Sequence, residues 1–131
     1  MPLRENLPST ASQAEIIGKK KLFSASAARN APFILEVLSQ YLPDKGKVLE
    51  IASGTGQHCT YFAEAFCNLE WQPSEINPKR LDSIRAYIKE TKKVNINMPL
   101  SLDATAENWA KEIDAYNVII VINFFHLISN K

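Results

Sequence analysis

The alternation of apolar and polar residues changes character near Asn30. Residues 1–22 hold Pro2, Pro8, Gly18, several small polar residues and Lys19-Lys20-Lys21, with no sustained period; they read as an arm that drapes over the domain or stays mobile. From there Ile34, Leu35, Leu38 and Leu42 recur at helical spacing, with Asn30 as the expected cap and Pro32 in the first turn. Pro43-Asp44-Lys45-Gly46 ends that helix and delivers an apolar strand over 48–52. A glycine turn follows, then a helix from about Gln57 with Phe62, Ala65 and Phe66 on one face. The pattern continues as a short strand over 69–73 that ends near Ser74-Glu75. A helix capped by Asn77 comes next, with Pro78 first and Leu81, Ile84 and Ile88 buried. A strand over 98–102 ends at Asp103, a helical segment over 107–113 is buried through Trp109 and Ile113, and a fourth strand covers 118–123. The unbroken β-branched run of that last strand predicts cover on both of its faces.

Strand and helix in regular alternation predict an α/β fold: a parallel sheet with right-handed crossovers in a three-layer αβα arrangement, in strand order 3-2-1-4. At 131 residues there is room for one domain, taken as 23–131 behind the arm at 1–22. Fifteen Lys and Arg against fourteen Asp and Glu leave a net charge of +1, so no global field favours nucleic acid or an anionic membrane. The lysine cluster reads as a solvated arm. No apolar run reaches membrane-spanning length, and a soluble cytoplasmic protein is the expectation. Cys59 and Cys67, read as lying on one helix, would stand about 12 Å apart along its axis, too far for a disulfide. Their spacing is not that of a zinc site.

The chemistry concentrates at strand ends. In Glu50-Ile-Ala-Ser-Gly-Thr-Gly-Gln-His58, Gly54 and Gly56 let backbone approach a ligand closely, and the following helix presents a positive end. Glu50, Glu75, Asp103 and Asn123 all close strands, and parallel strands point these ends into one crevice. Glu75 is placed to accept from vicinal ribose hydroxyls and Asp103 from an exocyclic amine such as that of adenine. The other reading is that such acids cap the turns that follow them. A nicotinamide-type G-x-G-x-x-G fits poorly, because Cys59 stands at its third glycine.

The segments 48–58, Glu70-Trp-Gln-Pro-Ser-Glu75, Leu102-Asp103 and Ile122-Asn-Phe-Phe-His-Leu-Ile128 resemble class I S-adenosylmethionine-dependent methyltransferases. Ser26-Ala-Ala-Arg-Asn30 and Trp71-Gln-Pro-Ser74 narrow the resemblance to the DUF938 family, that of methyltransferase-like protein 26, over residues 23 to the end. The resemblance implies that Glu50, Ser53, Gly54 and Gly56 lie against the methionine half of S-adenosylmethionine, Glu75 holds its ribose, and Asp103 with Ala104 reaches its adenine. Ala52 departs from the usual class I pattern E/D-x-G-x-G-x-G by occupying its first glycine, a substitution the narrower family shares.

By the same resemblance Asn123 faces the donor methyl, and His126 is a candidate base, with a hydrogen-bonded structural role as its alternative. His58 reads as a capping or positioning residue; Arg29 and Asn30 read either as closing over the cofactor carboxylate or as a surface cation and a helix cap. The implied activity is methyl transfer to a small-molecule acceptor, without nucleic-acid or membrane partners and without a metal. A non-catalytic Rossmann-like nucleoside- or partner-binding module is the competing reading. The family sheet has further strands beyond the fourth, so a truncated C-terminal half and self-association through the fourth strand are expected.

Overall fold

The computed structural model describes residues 20–122 and the backbone of a short strand at Glu15–Ile17. That strand, β1, pairs antiparallel with β2 (Lys21–Phe23), Ile16 opposite Leu22. The arm, expected to drape over the domain or stay mobile, thus forms a strap at its C-terminal end. Lys21 is not a solvated cation: its Nζ lies 2.6 Å from Glu90 Oε2 and 4.4 Å from the centre of the Tyr87 ring.

Helix α1 spans Ala25–Tyr41, and its cap is Ser24, whose side chain accepts from Ala27 N–H. Asn30 is not the cap, and Pro32 lies inside the helix instead of its first turn. The helix starts earlier because Ala25, Ala27 and Ala28 favour helix and Ser24 satisfies a free end. The side chain of Asn30 is drawn instead to His58, at 2.7 Å.

The main sheet comprises β3 (Gly46–Ile51), β4 (Leu69–Glu75), β5 (Leu100–Ser101) and β6 (Val118–Val121), all parallel in the order β5-β4-β3-β6. This is the expected order 3-2-1-4. Helix α2 (Gln57–Ala65) joins β3 to β4, and α3 (Pro78–Glu90) joins β4 to β5. Asn77 caps α3 as expected, accepting from Lys79 and Arg80 N–H. Cys67 lies past the end of α2, so the two thiols do not share a helix; Cys59 is buried and Cys67 exposed.

The core lies on the face where Val48, Trp71 and Ile120 meet Cys59, Phe62 and Ala63 of α2 and Ile84 and Ile88 of α3. Ile34, Leu35 and Leu38 of α1 pack against the same cluster. On the opposite face Leu49 and Ile51 are buried, yet Ile119 and Val121 are 52% and 43% exposed. Cover on both faces thus holds for β3 and not for β6 among the described residues, and no described strand pairs with the outer edge of β6.

Two further expectations change. The strand expected over 98–102 shrinks to two residues with an isolated bridge between Trp71 and Ile96, because Pro73 and Pro99 each lack the N–H that would continue the ladder. The helix expected over 107–113 is a single 3-10 turn, Trp109–Glu112, entered through Asn108 in a left-handed conformation; Trp109 and Ile113 are half-buried. No described helix is long and apolar enough to cross a membrane.

Candidate functional site

At the carboxyl end of β3 the chain turns through three left-handed residues, Ala52 (φ +54), Gly54 (φ +61) and Gly56 (φ +95). Ala52 thus adopts the backbone that a glycine would hold without strain. A Cβ on Gly54 would meet nothing within 4 Å, whereas one on Gly56 would lie 2.9 Å from Ile84 Cα. The first glycine therefore faces open space, and the second lets α3 pack against the turn. Gly56 at the N-cap has no side chain to cap α2, Gln57 N–H donates to Thr55 Oγ1 at 3.2 Å, and the first turn carries no acidic residue. That leaves its partial positive charge for a ligand.

The turn is stitched to the end of β4. Ser53 N–H donates to the Ser74 carbonyl at 2.8 Å, and Ser53 Oγ accepts from Ser74 N–H at 3.1 Å. Gly54 N–H donates to Glu75 Oε1 at 3.1 Å, while Glu75 Oε2 accepts from Ile76 N–H at 2.7 Å and Asn77 N–H at 3.0 Å. Arg80 Nη1 stands 4.0 Å from Oε1. Three backbone donors occupy a carboxylate that offers about four acceptor positions, so one remains for a ligand hydroxyl. Glu75 both caps its own turn and faces the glycine turn; the two readings of the sequence are compatible.

Asp103 lies just beyond the rung that pairs Glu75 with Ser101. It accepts from Thr105 Oγ1 and, at 2.9 Å, from Thr105 N–H, and these bonds hold its carboxyl below the usual carboxylate range. Ala104 follows, half-buried at the same rim.

Glu50 differs from the expectation of a group presented to a ligand. Its side chain is 2% exposed, and Oε1 has no hydrogen-bond partner among the described residues. Burial pushes its carboxyl up to about 7, with nearby Glu75 adding to the rise and hydrogen bonds from Ser53 and Cys59 opposing it. Register explains the burial: Glu50 sits opposite Pro73 and Ile120 on the core-facing side of the sheet. Its carbonyl accepts from Ser53 Oγ at 3.3 Å and from Ser74 Oγ at 2.7 Å, which ties the end of the strand to the turn and to β4.

His58 also points inward. Its Nε2 lies 2.7 Å from Asn30 Oδ1 and 3.2 Å from the Ala27 carbonyl, and its ring stacks on Phe62 with centroids 5.5 Å apart. Burial pushes its pKa down. This is the positioning role, and it ties α1 to α2. Arg29 is exposed on α1. Asn123 and His126 lie outside the described residues. Sequence reasoning missed Thr55, Gln57, Ser83 and Arg80. For Ser83 the available signal was a small polar residue beside the apolar positions Leu81 and Ile84 of a helix.

A family described as "Protein of unknown function (DUF938)" matches residues 21–131. The chain belongs to this family. Among solved structures, this DUF938 chain is similar to coclaurine N-methyltransferase bound to N-methylheliamine and S-adenosylhomocysteine. The TM-score is 0.63 at 18% identity, covering 92% of this chain and 34% of that one. It is also similar to precorrin-6y C5,15-methyltransferase from Geobacter metallireducens GS-15, at TM-score 0.60 and 17% identity over 81% of this chain and 52% of that one. Protein-L-isoaspartate O-methyltransferase gives TM-score 0.60 and 17% identity, over 85% and 34%. The fold is the Rossmann-like fold of class I S-adenosylmethionine-dependent methyltransferases, and the DUF938 chain spans between a third and about half of the length of these structures.

Proposed function

We propose that this chain carries the cofactor-binding half of an S-adenosylmethionine-dependent methyltransferase acting on a small-molecule acceptor. The observation that carries the reading is the junction of Gly54 and Glu75: a buried carboxylate with one acceptor position left, beside a glycine whose Cβ direction is open. The residues fit the cofactor. Glu75 would hold the ribose through one of its hydroxyls, Asp103 and Ala104 would border the adenine, and Ser53, Gly54 and Gly56 would lie along the methionine portion, with Glu50 at the base of the turn. S-adenosylmethionine supplies an activated methyl group, so the chain's own contribution is orientation and proximity. The positive end of α2 and its glycine turn attract the anionic carboxylate of the ligand. Arg80 Nη1 stands 4.0 Å from Glu75 Oε1, a cation beside the same carboxylate.

The test is incubation of the chain with methyl-labelled S-adenosylmethionine and a deproteinised small-molecule extract. The reading expects label to move into the small-molecule fraction. Label appearing in protein or nucleic acid overturns the acceptor class. Cofactor binding without any transfer leaves the non-catalytic nucleoside-binding module.

A further inference from the structure

Two hydrogen-bond relays leave the N-terminal strap and meet at one residue of the glycine turn. In the first, Leu22 N–H donates to Ser83 Oγ at 2.9 Å, and Ser83 Oγ donates onward to the Thr55 carbonyl at 2.7 Å. In the second, Ser24 N–H donates to Gln57 Oε1 at 2.7 Å, and the same oxygen takes the Thr55 hydroxyl at 2.8 Å. Gln57 Nε2 returns to the Ser24 carbonyl at 3.2 Å, so one carboxamide holds both backbone groups of Ser24. Both polar groups of Thr55 beyond its own amide are therefore fixed by residues that also grip the strap.

Thr55 lies between Gly54 and Gly56, both left-handed. A turn built on two glycines has more conformational freedom to lose than any other, so what orders it matters for binding. Ser24, Thr55 and Ser83 are all buried, and breaking either relay leaves a buried polar group without a partner. The strap is held at neighbouring points as well. Tyr87 Oη donates to the Leu22 carbonyl at 2.8 Å, Lys21 pairs with Glu90, and His58, next to Gln57, reaches Asn30 and Ala27 on α1.

We propose that Gln57 and Ser83 are positioning residues that make docking of the strap and binding of a nucleoside ligand at the glycine turn one coupled equilibrium. A ligand that orders Thr55 presents Gln57 and Ser83 to the strap in the arrangement the strap needs. A docked strap lowers the ordering cost that the ligand meets, and the coupling is equal in both directions. The ligand class rests on the methyltransferase reading above; the coupling of strap to turn does not.

Hydrogen–deuterium exchange of the whole chain, free and with S-adenosylhomocysteine, tests the coupling beside calorimetric affinities. Three variants are used: Gln57→Leu, Gln57→Glu and Ser83→Ala. In the free protein, Gln57→Leu and Ser83→Ala are expected to speed exchange of residues 21–24 and 53–56 together, by about tenfold for the loss of a buried bond. In wild type, S-adenosylhomocysteine is expected to slow exchange of the strap as well as the turn. Gln57→Leu is expected to weaken ligand affinity by about tenfold. Gln57→Glu retains the oxygen that accepts from Ser24 and Thr55 but sets its second oxygen against the Ser24 carbonyl, and is expected to recover part of both effects. This rescue would not follow from a merely space-filling role. A strap that loosens while exchange in the turn stays unchanged overturns the proposal, as does a loosened strap with unaltered affinity. If wild type binds no S-adenosylhomocysteine, the cofactor reading falls, and the comparison in the free protein still decides the coupling.

Discussion

The amide of Gly54 donates to Oε1 of Glu75 at 3.1 Å, joining the turn after one strand to the acid that closes the next. The same carboxylate accepts from Ile76 and Asn77, so one side chain shapes both lips of the crevice. Removing acceptor capacity there acts on stability and binding at once. Glu75→Gln presents an amide NH2 where backbone N–H groups now find an oxygen. Urea denaturation is expected to show a loss of about 1.5–3 kcal/mol, and S-adenosylhomocysteine affinity to fall by about tenfold or more. A folded variant with unchanged affinity would remove Glu75 from the ribose role.

The three left-handed positions of the turn separate conformational strain from close approach. Gly56→Ala brings a Cβ to 2.9 Å from backbone of α3 at φ +95, and a loss of about 2–4 kcal/mol is expected. Gly54→Val meets no protein atom but places a β-branched residue at φ +61, so it is expected to cost stability through backbone strain, to leave the helical circular dichroism largely intact and to abolish ligand binding. Ala52→Gly relieves a left-handed alanine at φ +54 and is expected to stabilise by about 0.5–1 kcal/mol, after the extra chain entropy of glycine is offset. Thermal unfolding of the three variants, in that rank order, checks the set.

Glu50 gives the stability profile a definite slope with pH. Its folded value near 7 lies above the ordinary 4.5, so between those limits the native state holds a proton that the unfolded chain releases. Stability from this group therefore falls as pH rises from about 4.5 to 7, by up to about 3 kcal/mol. His58 acts oppositely. Its lowered value contributes stability present above 6.5 and lost as pH falls. Subtracting the profile of Glu50→Gln from that of wild type isolates the carboxyl. The variant is expected to match wild type near pH 5 and exceed it at pH 8, and parallel profiles would contradict the assignment.

The positions of Glu75 and Asp103 were legible because parallel strands carry their carboxyl ends to one side, and the alternation of elements declares parallel strands. The cap of α3 was legible because Asn77-Pro78 acts locally. What stayed hidden depends on partners distant in sequence. Asn30 has the chemistry of a cap, yet its oxygen is used by His58, and only the fold brings them together. The strap has three-residue strands, too short for a period, and its bonds go to Ser83, Gln57 and Glu90. The apolar run of β6 signals burial without saying how much of each face is covered, and Ile119 and Val121 stay exposed. Glu50 ends its strand as the acids of the crevice do. Its register opposite Pro73 and Ile120, invisible in one sequence, turns it inward.

The central claim is that the turn from Ser53 to Gly56 and the carboxylate of Glu75 form a site for an S-adenosyl nucleoside. Isothermal titration of the folded chain with S-adenosylhomocysteine, and with NAD in a parallel run, tests it most directly. The account predicts saturable binding of one S-adenosylhomocysteine per chain and no binding of NAD, whose fingerprint fails at Cys59. Absence of heat with S-adenosylhomocysteine at millimolar concentration, or preferential binding of NAD, would contradict it.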